Sequence, residues 1–203
     1  MSTPADAPRE RRRRVAAKGF VCPSCAGTVG DGAQRCPSCG FTGGDTISMF
    51  SDEAPPLLPV LDAAGIWTER EVRSIEDARE KVRRRFPQIQ WRVCTVDLPE
   101  ETKLSVFGFW LLNAAEKYVG ETDDDRAWTI LLLLNVATGH AAVVPGYAAE
   151  RCLEDADLRK ILIAMKPQWS GGRTVDAVIR FFETCAAFLE QSWRANGKPK
   201  ARK

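Results

Sequence analysis

The chain has 203 residues, a formal net charge of +2 and one histidine, His140. A single histidine counts against Ser-His-Asp or Cys-His nucleophilic centres, and the longest apolar run, around Ile130 to Leu134, is far too short to cross a bilayer. The near-neutral total hides an uneven distribution: residues 1–18 carry six Lys/Arg, residues 194–203 carry five, and the body between them holds 18 basic against 25 acidic residues.

Residues 1–18, with Arg11 to Arg14, read as a basic disordered tail, and no apolar stretch of the kind a secretory signal needs follows them. The most informative feature comes next. Cys22-Pro23-Ser24-Cys25 and Cys36-Pro37-Ser38-Cys39-Gly40 are two like knuckles separated by ten residues. Each is a tight turn that aims two sulfurs at one point, so residues 19–42 are expected to form a small β zinc ribbon, with Cys22, Cys25, Cys36 and Cys39 around one tetrahedral Zn2+. A closed four-sulfur shell leaves no position for water or substrate, which makes the ion structural. Disulfides are the chemical alternative. Cys94, Cys152 and Cys185 stand among apolar neighbours and read as core, and the reduced-looking cysteine pattern points to a cytoplasmic location.

Residues 43–59, with Gly43-Gly44 and Pro55-Pro56, have the composition of a linker. One domain is expected over 60–193. Thr68-Glu69-Arg70-Glu71 is a capping box, followed by an apolar stripe at Val72, Ile75, Ala78, Val82 and Phe86 that Pro87 ends. Ile89 to Val96 alternates as a strand does. Leu104 to Val119 has helical spacing and stops at Gly120. Trp128 to Val136 is a continuous apolar run suited to a central strand, and the break Ala137-Thr138-Gly139-His140 suggests a hairpin to Ala141 to Val144. A short helix near Ala156 to Lys166, a turn Pro167-Gln168-Trp169-Ser170-Gly171-Gly172 and a long amphipathic helix from Val175 to Trp193 complete the domain. Residues 194–203 form a second basic tail. The resulting fold class is α/β: a mixed sheet flanked by helices on both sides, preceded by the small ribbon.

From about Leu61 to Trp193 the order of elements and several local strings resemble the TPM domain family. Asp62-Ala63-Ala64-Gly65-Ile66 is similar to the family's Asp-x-x-Gly-Leu start. Gly146-Tyr147-Ala148-Ala149-Glu150-Arg151-Cys152-Leu153-Glu154-Asp155 keeps the Gly, Tyr, Glu, Leu and Asp of its Gly-Tyr-Gly-Leu-Glu-x-x-Leu-x-Asp string. Pro167 to Gly172 resembles its turn before the last helix. Named members include thylakoid-lumen acid phosphatases and photosystem II repair factors, so the resemblance implies either phosphatase chemistry or an assembly role. Three departures bear on function. Trp128-Thr129 stands where members have Asn-Gly, Ala148 where they have Gly, and Thr138-Gly139-His140 where they have an Arg-rich stretch. Bulk at Trp128 is expected to narrow or fill a cleft at that strand's end, and Ala148 to remove access to positive φ.

Asp62, Glu150 and Asp155 are the candidate catalytic residues, their positions matching the family's strings. With Asp124 and Asp125 they form a candidate second divalent site for Ca2+ or Mg2+, and Arg126 is a candidate phosphate clamp. Against this, Asp123 to Asp125 read better as a solvated surface loop, while Asp155 reads equally as the complement of a helix N-terminus and Glu150 as an ordinary ion-pair partner. Trp169 is a candidate contact residue, with packing onto the last helix as its structural alternative. Three functions compete: a non-catalytic module that binds or helps assemble an unidentified protein partner, which leads; a metal-dependent phosphatase acting on phosphomonoesters; and a nucleic-acid-associated ribbon protein using the basic tails. The ribbon itself offers little to nucleic acid, with only Arg35 basic between Cys22 and Cys39.

Overall fold

A computed structural model describes residues 20–30, 32–117 and 120–196. The basic tail at 1–18 and all of the second tail beyond residue 196 lie outside them. At the amino-terminal end, β1 (Phe20–Val21) pairs antiparallel with β2 (Thr28–Val29), and the hairpin encloses its own small cluster of Cys22, Val29 and Cys36. Residues 43–59, expected as a linker, are packed on the body. They carry α1 (Asp45–Met49), and beyond it Phe50 stacks edge-on with Phe107, Ser51 O accepts from Trp110 Nε1 at 2.8 Å, Ala54 bridges to Ala115, and Leu57 is buried.

The body is built on four strands, β3 (Val60–Asp62), β4 (Gln90–Val96), β5 (Thr129–Asn135) and β6 (Ala141–Pro145), in that spatial order. The first three run parallel and β6 returns antiparallel to β5, so the sheet is mixed. Period-two alternation divides β4 and β5 between two cores. Trp91, Val93, Ile130, Leu132 and Leu134 face one, which α2 (Glu69–Arg85), α5 (Asp155–Ser170) and α6 (Thr174–Asn196) cover. Cys94, Val96, Leu131 and Leu133 face the other, under α3 (Leu104–Ala114) and the packed segment with Leu57. Both faces of β5 are buried, which is why it reads as an unbroken apolar run. The expected α/β class with helices on both sides of a mixed sheet is what the chain adopts. Among the described residues no helix is long and apolar enough to cross a membrane.

Local chemistry sets the element ends. The Thr68–Glu71 capping box closes reciprocally: Thr68 N–H donates to Glu71 at 2.8 Å, and Glu71 N–H to Thr68 Oγ1 at 3.4 Å. A second box, Thr122 with Asp125, starts the short α4 (Asp123–Ala127) where a loop is expected. Pro167 does not end a helix; α5 continues through it to Ser170. Proline forfeits one bond to the carbonyl of Ile163, but both residues are exposed, so water can satisfy that carbonyl. The turn expected at 167–170 is therefore the last turn of α5, and half-buried Trp169 donates its Nε1–H to Gly139 O in the β5–β6 turn. Gly146 is required where β6 ends, because a Cβ there would lie 2.3 Å from Arg126 O.

Candidate functional site

Both knuckles close with the same two backbone bonds. Cys22 N–H donates to Gly27 O and Ala26 N–H to Cys22 O; Cys36 N–H donates to Phe41 O and Gly40 N–H to Cys36 O, all at 2.9 Å. The residue after each second cysteine turns left-handed, Gly40 at φ 75° and Ala26 at φ 59°. These turns bring Cys22 Sγ within 3.8 Å of Cys39 Sγ and Cys25 Sγ within 3.6 Å of Cys36 Sγ, with all four sulfurs inside 4.8 Å. So close a group cannot carry four negative charges unaided. Cys36 is held at about 6: burial opposes its ionisation, but the N–H groups of Cys39 and Ser38 and the Cys25 and Cys22 thiols outweigh it. Cys25 is pushed up to about 12: the Gly27 N–H favours its thiolate, but the Cys39 thiol, burial and the other two thiols oppose it. A divalent cation resolves that conflict, and the cluster is compatible with a metal such as zinc.

The hairpin unit does not hang free of the body. Ser105 Oγ, on α3, donates to Pro23 O at 2.7 Å and Lys103 Nζ to Ser24 O at 3.1 Å. Phe20 meets Tyr147 edge-on at 5.6 Å, and Phe41 meets Phe109 at 6.0 Å. Between the two units opens a cleft of about 2140 Å³, bounded by Phe20 to Ala26, by α3, by the β6 strand and the turn after it, and by the start of α5.

The candidate carboxylates divide into two groups. Glu150, Asp155, Asp123 and Asp124 line the cleft; Asp62 and Asp125 do not. Asp62 pairs with Thr95 near the carboxyl end of β4, whereas the turn bearing Glu150 is fastened beside Thr129, which pairs with Gln90 at the opposite end. Five residues of strand put about 16 Å between those ends, so Asp62 cannot share an ion with Glu150 and Asp155. Its own oxygens are engaged: Ile66 N–H donates to Oδ1 at 3.2 Å, Trp67 N–H to Oδ2 at 2.8 Å, and the Thr95 hydroxyl also donates to Oδ1. Asp125 caps α4 and accepts from Gln90 Nε2 at 2.9 Å. Glu150 is pushed up to about 7, first by burial and then by the nearby charge of Asp155. Asp155 is an exposed residue in the first turn of α5.

Arg126 lies at the cleft wall with both Nη atoms engaged, while its Nε is buried without a partner among the described residues. It donates to Leu112 O in the last turn of α3 and to Glu116 O just beyond it, both at 2.9 Å, and to Glu121 Oε2 at 3.0 Å. Glu121 in turn receives Arg92 Nη2 at 2.7 Å, and Arg92 also donates to Leu57 O. The Arg92 and Glu121 side chains are only 2% and 0% exposed. Sequence reading missed this buried network, since Arg92 looks like one more polar position on an alternating strand. Nothing short of the fold brings Glu121 beneath it. Trp128, expected to fill a cleft, packs instead on the core shared with α2, α5 and α6. Ala148 sits at φ −82°, so the backbone there has no need of glycine.

One solved structure shows the same layered fold. The N-terminal domain of a protein from P. gingivalis superposes with TM-score 0.50 at 17% identity, over 76% of this chain and 94% of that one. The N-terminal domain of cg2496 protein from Corynebacterium glutamicum matches at TM-score 0.49 and 15% identity, over 64% and 78% of the two chains. The BA42 protein from Bizionia argentinensis matches at 0.47 and 13%, over 64% and 86%. No curated protein matches. The TPM domain family matches residues 60–188, the whole of the four-stranded sheet and all but the end of its last helix, and the chain belongs to that family.

Proposed function

We propose that this chain is a non-catalytic TPM-domain module that binds a protein partner or assists its assembly, with Cys22, Cys25, Cys36 and Cys39 holding one structural Zn2+ in a zinc ribbon. One observation carries the first part: Asp62 and Arg126, on which metal and phosphate binding would depend, spend their side-chain groups on structural hydrogen bonds, and Asp62 stands at the far end of the sheet from Glu150 and Asp155. Tetrahedral zinc with bonds near 2.3 Å requires sulfur separations of about 3.8 Å, which the 3.6 and 3.8 Å distances already approximate. A cytoplasmic setting, where thiols stay reduced, suits such an ion. The nucleic-acid alternative rests on the basic tails, which lie outside the described residues except for 194–196 at the end of α6.

Phosphatase activity is a second reading because Glu150 titrates at about 7 beside Asp155 in an open cleft, a protonation state suited to a general acid. It would require Ca2+ or Mg2+ held by Asp155 and Asp124 without Asp62, since Glu150 must keep its proton to act as the acid. The deciding measurement is hydrolysis of p-nitrophenyl phosphate by pure reduced protein with Ca2+ or Mg2+ added. The module reading expects no turnover above a heat-denatured control; metal-restored turnover that Glu150→Gln abolishes would replace it with the second reading. Metal analysis of the same sample should return about one zinc per chain, and absence of zinc would remove the ribbon.

A further inference from the structure

We propose that the cleft receives an extended, Lys/Arg-bearing segment of a partner protein, added as a fifth strand to the free edge of β6. This rests on the interaction reading above and names the chemistry of the partner. β6 is the last strand of the sheet. Its antiparallel ladder with β5 includes bonds from Asn135 N–H to His140 O and from Gly146 N–H to Thr129 O, so alternation along the strand turns the N–H and C=O groups of Ala141 and Val143 outward. No backbone partner for them occurs among the described residues.

From Val143 onward that edge lies in the cleft itself. Val143, Val144 and Pro145 form its floor, Leu112 of α3 rises on one side of the sheet and Leu158 of α5 on the other. Gly108 permits this closeness, since a Cβ there would meet Val144 Cγ2 at 2.5 Å. At about 2140 Å³ the space is at least twice that of a typical small-molecule pocket, roughly 300–1,000 Å³, so it is sized for a length of polypeptide. Its charge selects the polypeptide. Six acidic side chains line it against three basic ones, and two of the three are already committed, Lys117 to Asp123 at 2.6 Å and Arg126 to Glu121. A strand offers backbone donors and acceptors to Ala141 and Val143, apolar side chains to the Leu112 wall on one face, and cations to Glu154 and Asp155 at the start of α5 on the other.

The test uses the full reduced chain and a fluorescent seven-residue peptide of alternating Lys/Arg and Val. Anisotropy should show saturable binding that falls at least tenfold when Glu replaces the cations, and at least tenfold when proline replaces alternate peptide residues and removes their N–H donors. Val143→Pro removes one outward N–H without touching the β5 ladder, and binding should fall to a similar degree. Should that variant fold poorly, amide exchange on the unaltered chain decides: the Ala141 and Val143 N–H groups gain protection with peptide bound while Ala142 and Val144 change little. Equal binding of the proline peptide, or a bound peptide that leaves Ala141 and Val143 unprotected, overturns the proposal. Binding seen only after residues 1–18 are deleted would assign the groove to the chain's own basic terminus and overturn a partner as occupant. Absence of peptide binding together with absence of phosphomonoester hydrolysis refutes this edge while leaving the module reading standing; hydrolysis refutes that reading itself.

Discussion

At the scale of single residues, side chains with similar sequence credentials have separate fates. The cysteines were legible because their chemistry is local: two turns of fixed geometry converge wherever the hairpin goes. The carboxylates were not, because convergence of Asp62, Glu150 and Asp155 depends on which end of the sheet each loop leaves from, and a one-dimensional string does not carry that. Asp62 instead accepts the N–H groups of Ile66 and Trp67 and orders the turn into α2. Glu150 supplies a pH test. Its titration point is raised from 4.5 to about 7, so the native state keeps a proton that the unfolded chain has released. Stability therefore falls as pH rises from about 4.5 to about 7 and is level above that. The full effect is on the order of 3 kcal/mol at most. Glu150→Gln should leave urea midpoints unchanged near pH 4 and raise them at pH 8; an unchanged midpoint at pH 8 would mean that the carboxyl is not held protonated.

Among the elements, most strands and amphipathic helices followed their periodicity, but α3, expected from Leu104 to Val119, ends at Ala114 where Ala115 leaves the helical conformation. β5, the hairpin to β6, α2 with its capping box, and α6 all lie where pattern and turn chemistry put them. Differences arose where burial or water overrode a local rule. Pro167 is tolerated inside α5 because its turn faces solvent, and Trp128 turns into the core where the pattern suggested a cleft wall. The larger surprise is Arg92 on β4, fully enclosed with Glu121 and Leu57 O. Two charges removed from water hold only as a pair. Glu121→Ala should cost about 3–5 kcal/mol by chemical denaturation, since it strands a buried guanidinium. Replacing Arg92 and Glu121 together by leucine should recover much of that loss, and a double variant as unstable as the single would show that the pair itself does little.

Over the whole molecule, composition divided the chain into two modules with a soft join, and the join is where sequence said least about structure. Gly, Ser, Asp and Pro describe a segment lacking regular elements; they do not say whether it packs. Here it carries Phe50, Ala54 and Leu57 into the core beneath α3 and delivers the carbonyl that Arg92 needs. A chain starting at residue 60 should thus be markedly less stable than one starting at residue 43, by several degrees of thermal midpoint, even though the family match begins at residue 60. Equal midpoints would show that the segment is dispensable.

Fastening at Phe50, Ser51, Ala54 and Leu57 has a mechanical result. Because the strap is pinned along its length, the cysteine hairpin has almost no tether on which to swing and must follow the sheet like a bracket bolted to a frame. Anything that grips the hairpin therefore also grips the mouth of the cleft, which the hairpin itself bounds.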